Sequence, residues 1–341
     1  MERRQFLSTV SVGAVAAGAM AATKPASAAA EFSWRMANLY PRGTSYGVVY
    51  QGFADLVKRT TNGRLEITPL FDGEGVGATE VLQATMSGLV EAGCPYMALH
   101  SGELPAGVVE LGLPGGPDNL AGLLALFYRG GWLEAVREAY ASVGLYNVGP
   151  YFQPGVYLIT KNPVNSLSDL KGLKLRAPGG YGKFVAQFGA QPVTMAFAET
   201  YTALATGVID GCASSNLIDY RDGKFFEIAK NFYPVAVTAS QVSPLVVNMD
   251  KWNALPDDIK AIVETCNVWH GNAQANESTM SVGAAVAEMK AGGMVWGAPP
   301  SDADKAAWKA AAEALLPEYE ASDPFSAKLV KLQREFMTKT A

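Results

Sequence analysis

Residues 255–292, from "LPDDIKAIVE" to "VAEMKAGG", read as one helical stretch of unusual length. At about 1.5 Å per residue it spans on the order of 50 Å, longer than a small lobe is wide. It lacks the heptads of a coiled coil and the unbroken apolar run of a membrane span. A helix of this kind needs two bodies to lie against, so it is expected to be a strut crossing two lobes. The length of 341 residues agrees with two lobes better than with one core.

The rest of the chain alternates. "FSWRMAN" (32–38) has strand periodicity and is followed by a helical pattern that stops at Gly63. "RLEITPLF" (64–71) is a second strand, and the helix after it closes at Gly88. From Tyr157 the rhythm restarts with "VYLITK", a short capped helix at "NSLSDLKG", and the strand "LKLRAP". "AFAETYTALATG" presents one helical face ended by Gly207, "VIDGCASS" is a buried strand, and "SPLVVNMDKW" is a strand expected to return to the first lobe. The fold class expected is α/β with helices on the sheet faces.

The first residues are set apart. "MERRQFL" supplies a twin arginine, "STVSVGAVAAGAMAA" is a small-residue apolar run, and "ASAAA" offers a cleavage site. Residues 1–28 are therefore expected to be an export signal of the twin-arginine type. A membrane anchor is disfavoured, because the run is short and rich in Ala and Gly. Removing Arg3, Arg4, Lys24 and Glu2 takes the formal charge from −5 to about −7. There is no basic run, which argues against nucleic acid and anionic membranes.

Few residues suggest catalysis or a cofactor. "DGEGVGATE" (72–80) lacks both the P-loop Lys-Ser/Thr and the G-x-G-x-x-G spacing, so it reads as a turn. Cys94, Cys212 and Cys266 are widely spaced and are expected to be isolated and buried. His100 and His270 sit in no ligand-spaced cluster, so neither a metal nor another cofactor is expected. The absence of G-x-S-x-G or a Cys/His pairing weighs against an exported enzyme. One arginine stands out: Arg176 ends a strand and faces Pro178 and a glycine pair, in a chain with 17% charged residues. Its planar donor fork matches a carboxylate, although most arginines simply pair a surface acid.

The block 169–211, "DLKGLKLRAPGGYGKFVAQFGAQPVTMAFAETYTALATGVIDG", resembles the periplasmic solute-binding proteins of TRAP (tripartite ATP-independent periplasmic) transporters, the DctP-type family. The D-L-K-G-x-K-x-R, G-A-x-P-V-x-M and A-E-x-Y-x-A-L-x-x-G-V-I-D-G runs carry the likeness, and "FADLVKRTTNGRLEITPLF", "GLVEAG" and "WNALPDDIKAIVE" extend it over most of the mature chain. The resemblance implies a two-lobed, periplasmic-binding-protein-like α/β fold with crossing strands and the long helix linking both lobes. Lobe I would comprise residues 29–153 plus about 242–281, and lobe II 154–241 plus about 282–341. It implies a periplasmic receptor, not an enzyme, that closes on a small organic acid and delivers it to membrane permease subunits. A ligand-loaded partner of a sensor protein is a further possibility.

The resemblance makes Arg176 the carboxylate anchor. In the branch that binds 2-oxo acids with a metal, an acidic residue and an aromatic follow the D-G step, where this chain has Ala213 and Ser214. That branch's second acidic ligand aligns with Gln241, so a bound cation is not expected. A second site arginine, frequent ahead of the crossing strand, is replaced by Val156 and Tyr157, which implies one carboxylate per ligand. Gln153, Tyr181, Ser214 and Gln241 are candidates to bond its hydroxyl or keto oxygen, or to satisfy neighbouring backbone.

Overall fold

The computed structural model describes residues 29–340, apart from 114 and 118. The export segment expected at residues 1–28 lies outside the described residues. Nine strands are described: β1 (Phe32–Asn38), β2 (Leu65–Leu70), β3 (Ala92–Cys94), β4 (Leu145–Thr160), β5 (Lys174–Arg176), β6 (Gln191–Val193), β7 (Gly211–Ser215), β8 (Asn231–Asn248) and β9 (Val295–Trp296). They form one sheet in the order β2-β1-β3-β8-β4-β7-β5-β6, with β9 added to β8.

The antiparallel pair β4–β8 organises the molecule. Its register runs from Leu145 opposite Asn248 to Thr160 opposite Asn231. At one end β3 joins β8 through Ala92 and Gly93, opposite Val247 and Val246, and carries the parallel β1 and β2. At the other end β7 joins β4 between Tyr157 and Thr160 and carries the parallel β5 and β6. Two half-sheets thus hang on opposite ends of one ribbon, separated by roughly 40 Å at about 3.3 Å per residue. Between them the ribbon has only its own two strands.

That geometry explains why the strands run further than their sequences suggest. Pro150, Pro154 and Pro244 lie in the ribbon's middle, where neither half-sheet extends and a missing backbone donor breaks no ladder. The register shifts between Asn147 and Gly149 and again around Tyr157, bending the ribbon where each half-sheet begins. Gly155 is required there, since a Cβ would lie 2.7 Å from the Thr238 carbonyl oxygen and 2.8 Å from that of Ala239.

The long helix spans Asp257–Ala291. Asp257 and Asp258 stand in its first turn and Lys290 in its last, each favourable to the helix dipole. Ile259, Val263 and Cys266 enter the larger hydrophobic core, whereas Met289 enters a second cluster with Phe225, Phe226 and Ile159. One helix therefore feeds both cores, as a strut must. The last helix, Pro324–Thr340, packs on Pro105–Gly112 and Trp132–Ala141 and is tied there by Lys328 to Glu138 at 2.6 Å. The end of the chain thus reaches back to elements ahead of β4. All three cysteines are buried and free. Among the described residues no helix is long and apolar enough to cross a membrane.

Phe152 is fully buried on the ribbon and meets Phe127 edge-on at 5.4 Å and Tyr128 at 6.1 Å. Phe152→Ala should cost about 3–5 kcal/mol, read as a lowered urea midpoint at unchanged m. A loss below 1 kcal/mol would mean that the ribbon is not the structural axis.

Candidate functional site

Arg176 is the last residue of β5, between Cys212 of β7 and Val193 of β6. The carboxyl ends of parallel strands are where α/β sheets open onto ligands, because the chain leaves the sheet there. Arg176 is 2% exposed. Its Nε donates to the Met195 carbonyl at 3.3 Å, and Nη1 donates to Ser214 Oγ at 2.9 Å and Ser215 Oγ at 3.2 Å. Ser214 Oγ in turn donates to the Arg176 carbonyl at 3.0 Å, which fixes the arginine's backbone and fork together. Among the described residues no carboxylate stands within ion-pair distance of this guanidinium, and the Cys212 side chain lies beside it.

Arg176 borders a small cavity of about 10 Å³, room for about one water molecule. Tyr40, Tyr96 and Phe197 supply its aromatic wall, and Ser214, Ser215, Asp219 and Gln241 its polar one. The wall closes across the two half-sheets. Tyr96, following β3, donates its hydroxyl to the Ser214 carbonyl at 3.0 Å, and the Tyr40 ring meets Phe197 edge-on at 6.0 Å. At the rim the Ser45 N–H donates to Asp222 Oδ2 at 2.7 Å, and Arg221 Nη2 donates to Ser45 Oγ at 2.7 Å.

Arg176, Ser214 and Gln241 line the cavity, while Gln153 and Tyr181 stand one bond behind it. Gln153 and Gln241 are opposite each other at the middle of the ribbon, and Gln241 Nε2 donates to Gln153 Oε1 at 2.8 Å. Gln153 Nε2 donates to Tyr40 Oη and Ser243 Oγ, each at 3.2 Å. Tyr181 Oη reaches Gln241 Oε1 at 3.5 Å, the outer limit of a hydrogen bond. Ala213, at the place where a metal-binding branch has an acid, is a buried β7 residue. Among the described residues no group of three or more His, Cys, Asp or Glu is placed to hold a metal ion.

Sequence reasoning missed Tyr40, Tyr96, Phe197, Ser215 and Asp219. Tyr40 and Tyr96 each follow the carboxyl end of a strand, a positional signal that was available. Asp219 is 4% exposed, and its Oδ2 accepts from Asn216 Nδ2 at 2.9 Å. Burial pushes its carboxyl up to about 7 and the nearby Asp222 adds to this, while the Asn216 N–H and Arg176 partly offset the rise. A larger recess lies between helix Ser45–Thr60 and the long helix, around Trp269. Its charged residues, Arg59 and Glu277, are exposed and of opposite sign, so it offers no buried anchor.

The family model DctP, bacterial extracellular solute-binding protein family 7, matches residues 36–323. The chain belongs to this family. It is 30% identical over 303 residues to the monocarboxylate 2-oxoacid-binding periplasmic protein of a Nostoc species, covering 86% of this chain and 82% of that one. A TRAP periplasmic solute-binding protein from Colwellia psychrerythraea, solved with bound calcium and pyruvate, superposes with a TM-score of 0.82 at 25% identity, over 91% of this chain and 95% of the other. The apo open structure of a Rhodobacter sphaeroides TRAP binding protein superposes with a TM-score of 0.69 at 24% identity, over 90% and 98%. DctP-family proteins are solute receptors, and the two-lobed α/β fold with crossing strands and a linking helix is theirs.

The buried Asp219 carboxyl has a consequence for the ligand-free protein. It binds its proton more tightly folded than unfolded, so stability should fall as pH rises from about 4 to 7. The slope from this one group reaches at most about 1.4 kcal/mol per pH unit. Urea unfolding at pH 4.5, 5.5 and 6.5 should show Asp219→Asn flattening the dependence by up to that amount. A second contribution should remain, from Glu110, whose buried carboxyl is also pushed up to about 7. Identical slopes for wild type and variant would exclude a buried, proton-retaining Asp219.

Proposed function

We propose that this chain is the periplasmic receptor of a TRAP transporter, and that it captures a small monocarboxylate, a 2-oxo or 2-hydroxy acid, on Arg176. The observation that carries this reading is a buried guanidinium facing a cavity with no protein carboxylate against it. An uncompensated buried charge is costly by several kcal/mol. A ligand carboxylate would supply the missing counter-ion, with two parallel hydrogen bonds from the fork. The Nostoc relative's 2-oxoacid specificity and the pyruvate in the Colwellia structure support the ligand class.

Lobe I, residues 29–153 with about 242–281, and lobe II, residues 154–241 with about 282–341 apart from the last helix, Pro324–Thr340, which packs on lobe I, would open and close about the ribbon's bare middle. The closed form, with the aromatic contacts over the cavity and the Ser45 to Asp222 rim contact, would be populated without ligand and further favoured by it. Excluding water then strengthens the ion pair by lowering the local dielectric. The twin-arginine signal would export the chain to the periplasm, and the closed surface would be what the permease subunits recognise. Ligand binding would need no cation, since among the described residues Asp219 is the one carboxylate bordering the cavity and hard cations want several oxygen ligands.

A thermal-shift screen of organic acids should identify the ligand, because binding to the folded state alone stabilises it. With the best acid, Arg176→Ala should lose ~2–5 kcal/mol of binding, roughly thirty- to several-thousand-fold in Kd. Arg176→Lys keeps the charge but not the fork and should also weaken binding substantially. Equal affinities across the three proteins, by calorimetry, would remove the arginine from the site. Treatment with chelator should leave affinity unchanged; loss that calcium restores would show that a cation completes the site after all.

A further inference from the structure

We infer that Asp219 is the second ligand-binding group of the cavity, and that it binds in its protonated form, donating a hydrogen bond to the oxygen on the carbon next to the ligand's carboxylate. This rests on the reading that Arg176 takes that carboxylate. Asp219 borders the same cavity as Arg176 and comes from a different element, the short helix Leu217–Asp222. The hydrogen bonds to its carboxyl come from Asn216. Among the described residues no Lys, Arg or His stands within ion-pair distance of it.

The charges that face Asp219 decide its state. Arg176 faces it from β5, Tyr40 from the segment after β1, Tyr46 from helix Ser45–Thr60, and Tyr96 from the segment after β3. All three tyrosines are buried, and burial holds them neutral. Asp222 adds a like charge from Asp219's own helix. Among the described residues Arg176 is the cation whose charge acts on the carboxyl, while Arg221, on the same helix, is paired with Asp222 at 2.7 Å. When a ligand carboxylate takes that cation, an ionised Asp219 would be a second anion in the same water-poor cavity, where Arg176 and Asp219 are 2% and 4% exposed. Two carboxylates sharing one site do not both stay ionised, so the complex keeps a proton. In the free protein burial already sets the carboxyl at about 7, so the proton exchanges near neutrality.

The ligand class follows. A protonated carboxyl presents a donor, which a 2-oxo or 2-hydroxy oxygen accepts. A 2-ammonium group has no lone pair to offer and would meet that donor unpaired. Binding also takes up a proton once the pH exceeds the free-protein value. The Kd should be flat below about pH 6.5 and rise about tenfold per pH unit above about 7.

Calorimetry of the mature chain, wild type and Asp219→Asn, at pH 6, 7.5 and 9 tests this. The probes are pyruvate, L-lactate, L-alanine and the acid selected by the thermal-shift screen. The wild type should weaken by more than tenfold between pH 7.5 and 9, with proton uptake measurable by repeating the titration in buffers of different ionisation enthalpy. Asp219→Asn keeps a donor that does not titrate, so it should bind the same acid at pH 6 within a few-fold and stay flat to pH 9. A pH-independent wild-type Kd that is still lost in Arg176→Ala would overturn the role of Asp219 and leave the carboxylate anchor standing. Loss of binding at pH 6 in a folded Asp219→Asn, or L-alanine binding that tightens with pH, would also overturn it. If no acid bound at any pH, the anchor and this proposal would fall together.

Discussion

A positive charge buried without a protein partner is the constraint on which the rest depends. Arg176 is held by a carbonyl and two serine hydroxyls, all neutral, so its fork is fixed in direction with no carboxylate in ion-pair contact and only Asp219 facing it across the cavity. The surrounding structure serves that arrangement. β5 and β7 bring the arginine and the serines to one strand end, and the tyrosines after β1 and β3 reach over from the opposite half-sheet. Neutral donors orient the guanidinium without cancelling it, which leaves its electrostatic interaction for whatever enters.

The crossing ribbon couples this site to the shape of the molecule. Gln153 and Gln241 face each other where neither half-sheet supports the ribbon, and their side chains are bonded there. Gln153 also holds Tyr40, and Gln241 lines the cavity. A rotation at the ribbon's middle therefore moves cavity wall and aromatic roof together. The long helix would restrain such a rotation, since its two ends are anchored in different cores.

Much of this was legible in the sequence. The strut at 255–292 is the helix Asp257–Ala291, and the strand-end arginine is where the motif placed it. The full extent of β4 and β8 was hidden, because their prolines and glycines read as breaks unless one knows that the ribbon's middle has free edges. The Gln153–Gln241 pairing depends on register between segments far apart in sequence, which no local pattern encodes. Helix Pro105–Gly112 is buried over Ala106–Leu111, so it shows no amphipathic period. Asp219 stands in the first turn of a helix capped by Asn216, where acids are common, and only the folded cavity turns it into a buried group.

The order in which the strands occur along the chain has a consequence for how the molecule assembles. Leu145 pairs with Asn248, and Ala92 with Val247, so the first half-sheet obtains its inner neighbour only after more than half of its sequence has passed. The second half-sheet hangs on β4, but β9 and the end of the long helix complete it from beyond residue 285. Neither lobe can therefore finish folding during synthesis of its own contiguous segment. Contacts this distant carry a high loop-closure cost before they are rewarded, which makes folding slow and leaves the edges of the first half-sheet open meanwhile. The interleaving by which two half-sheets share one ribbon thus makes the nascent chain dependent on late-arriving residues, and gives a growing polypeptide a long interval in which it is vulnerable to aggregation.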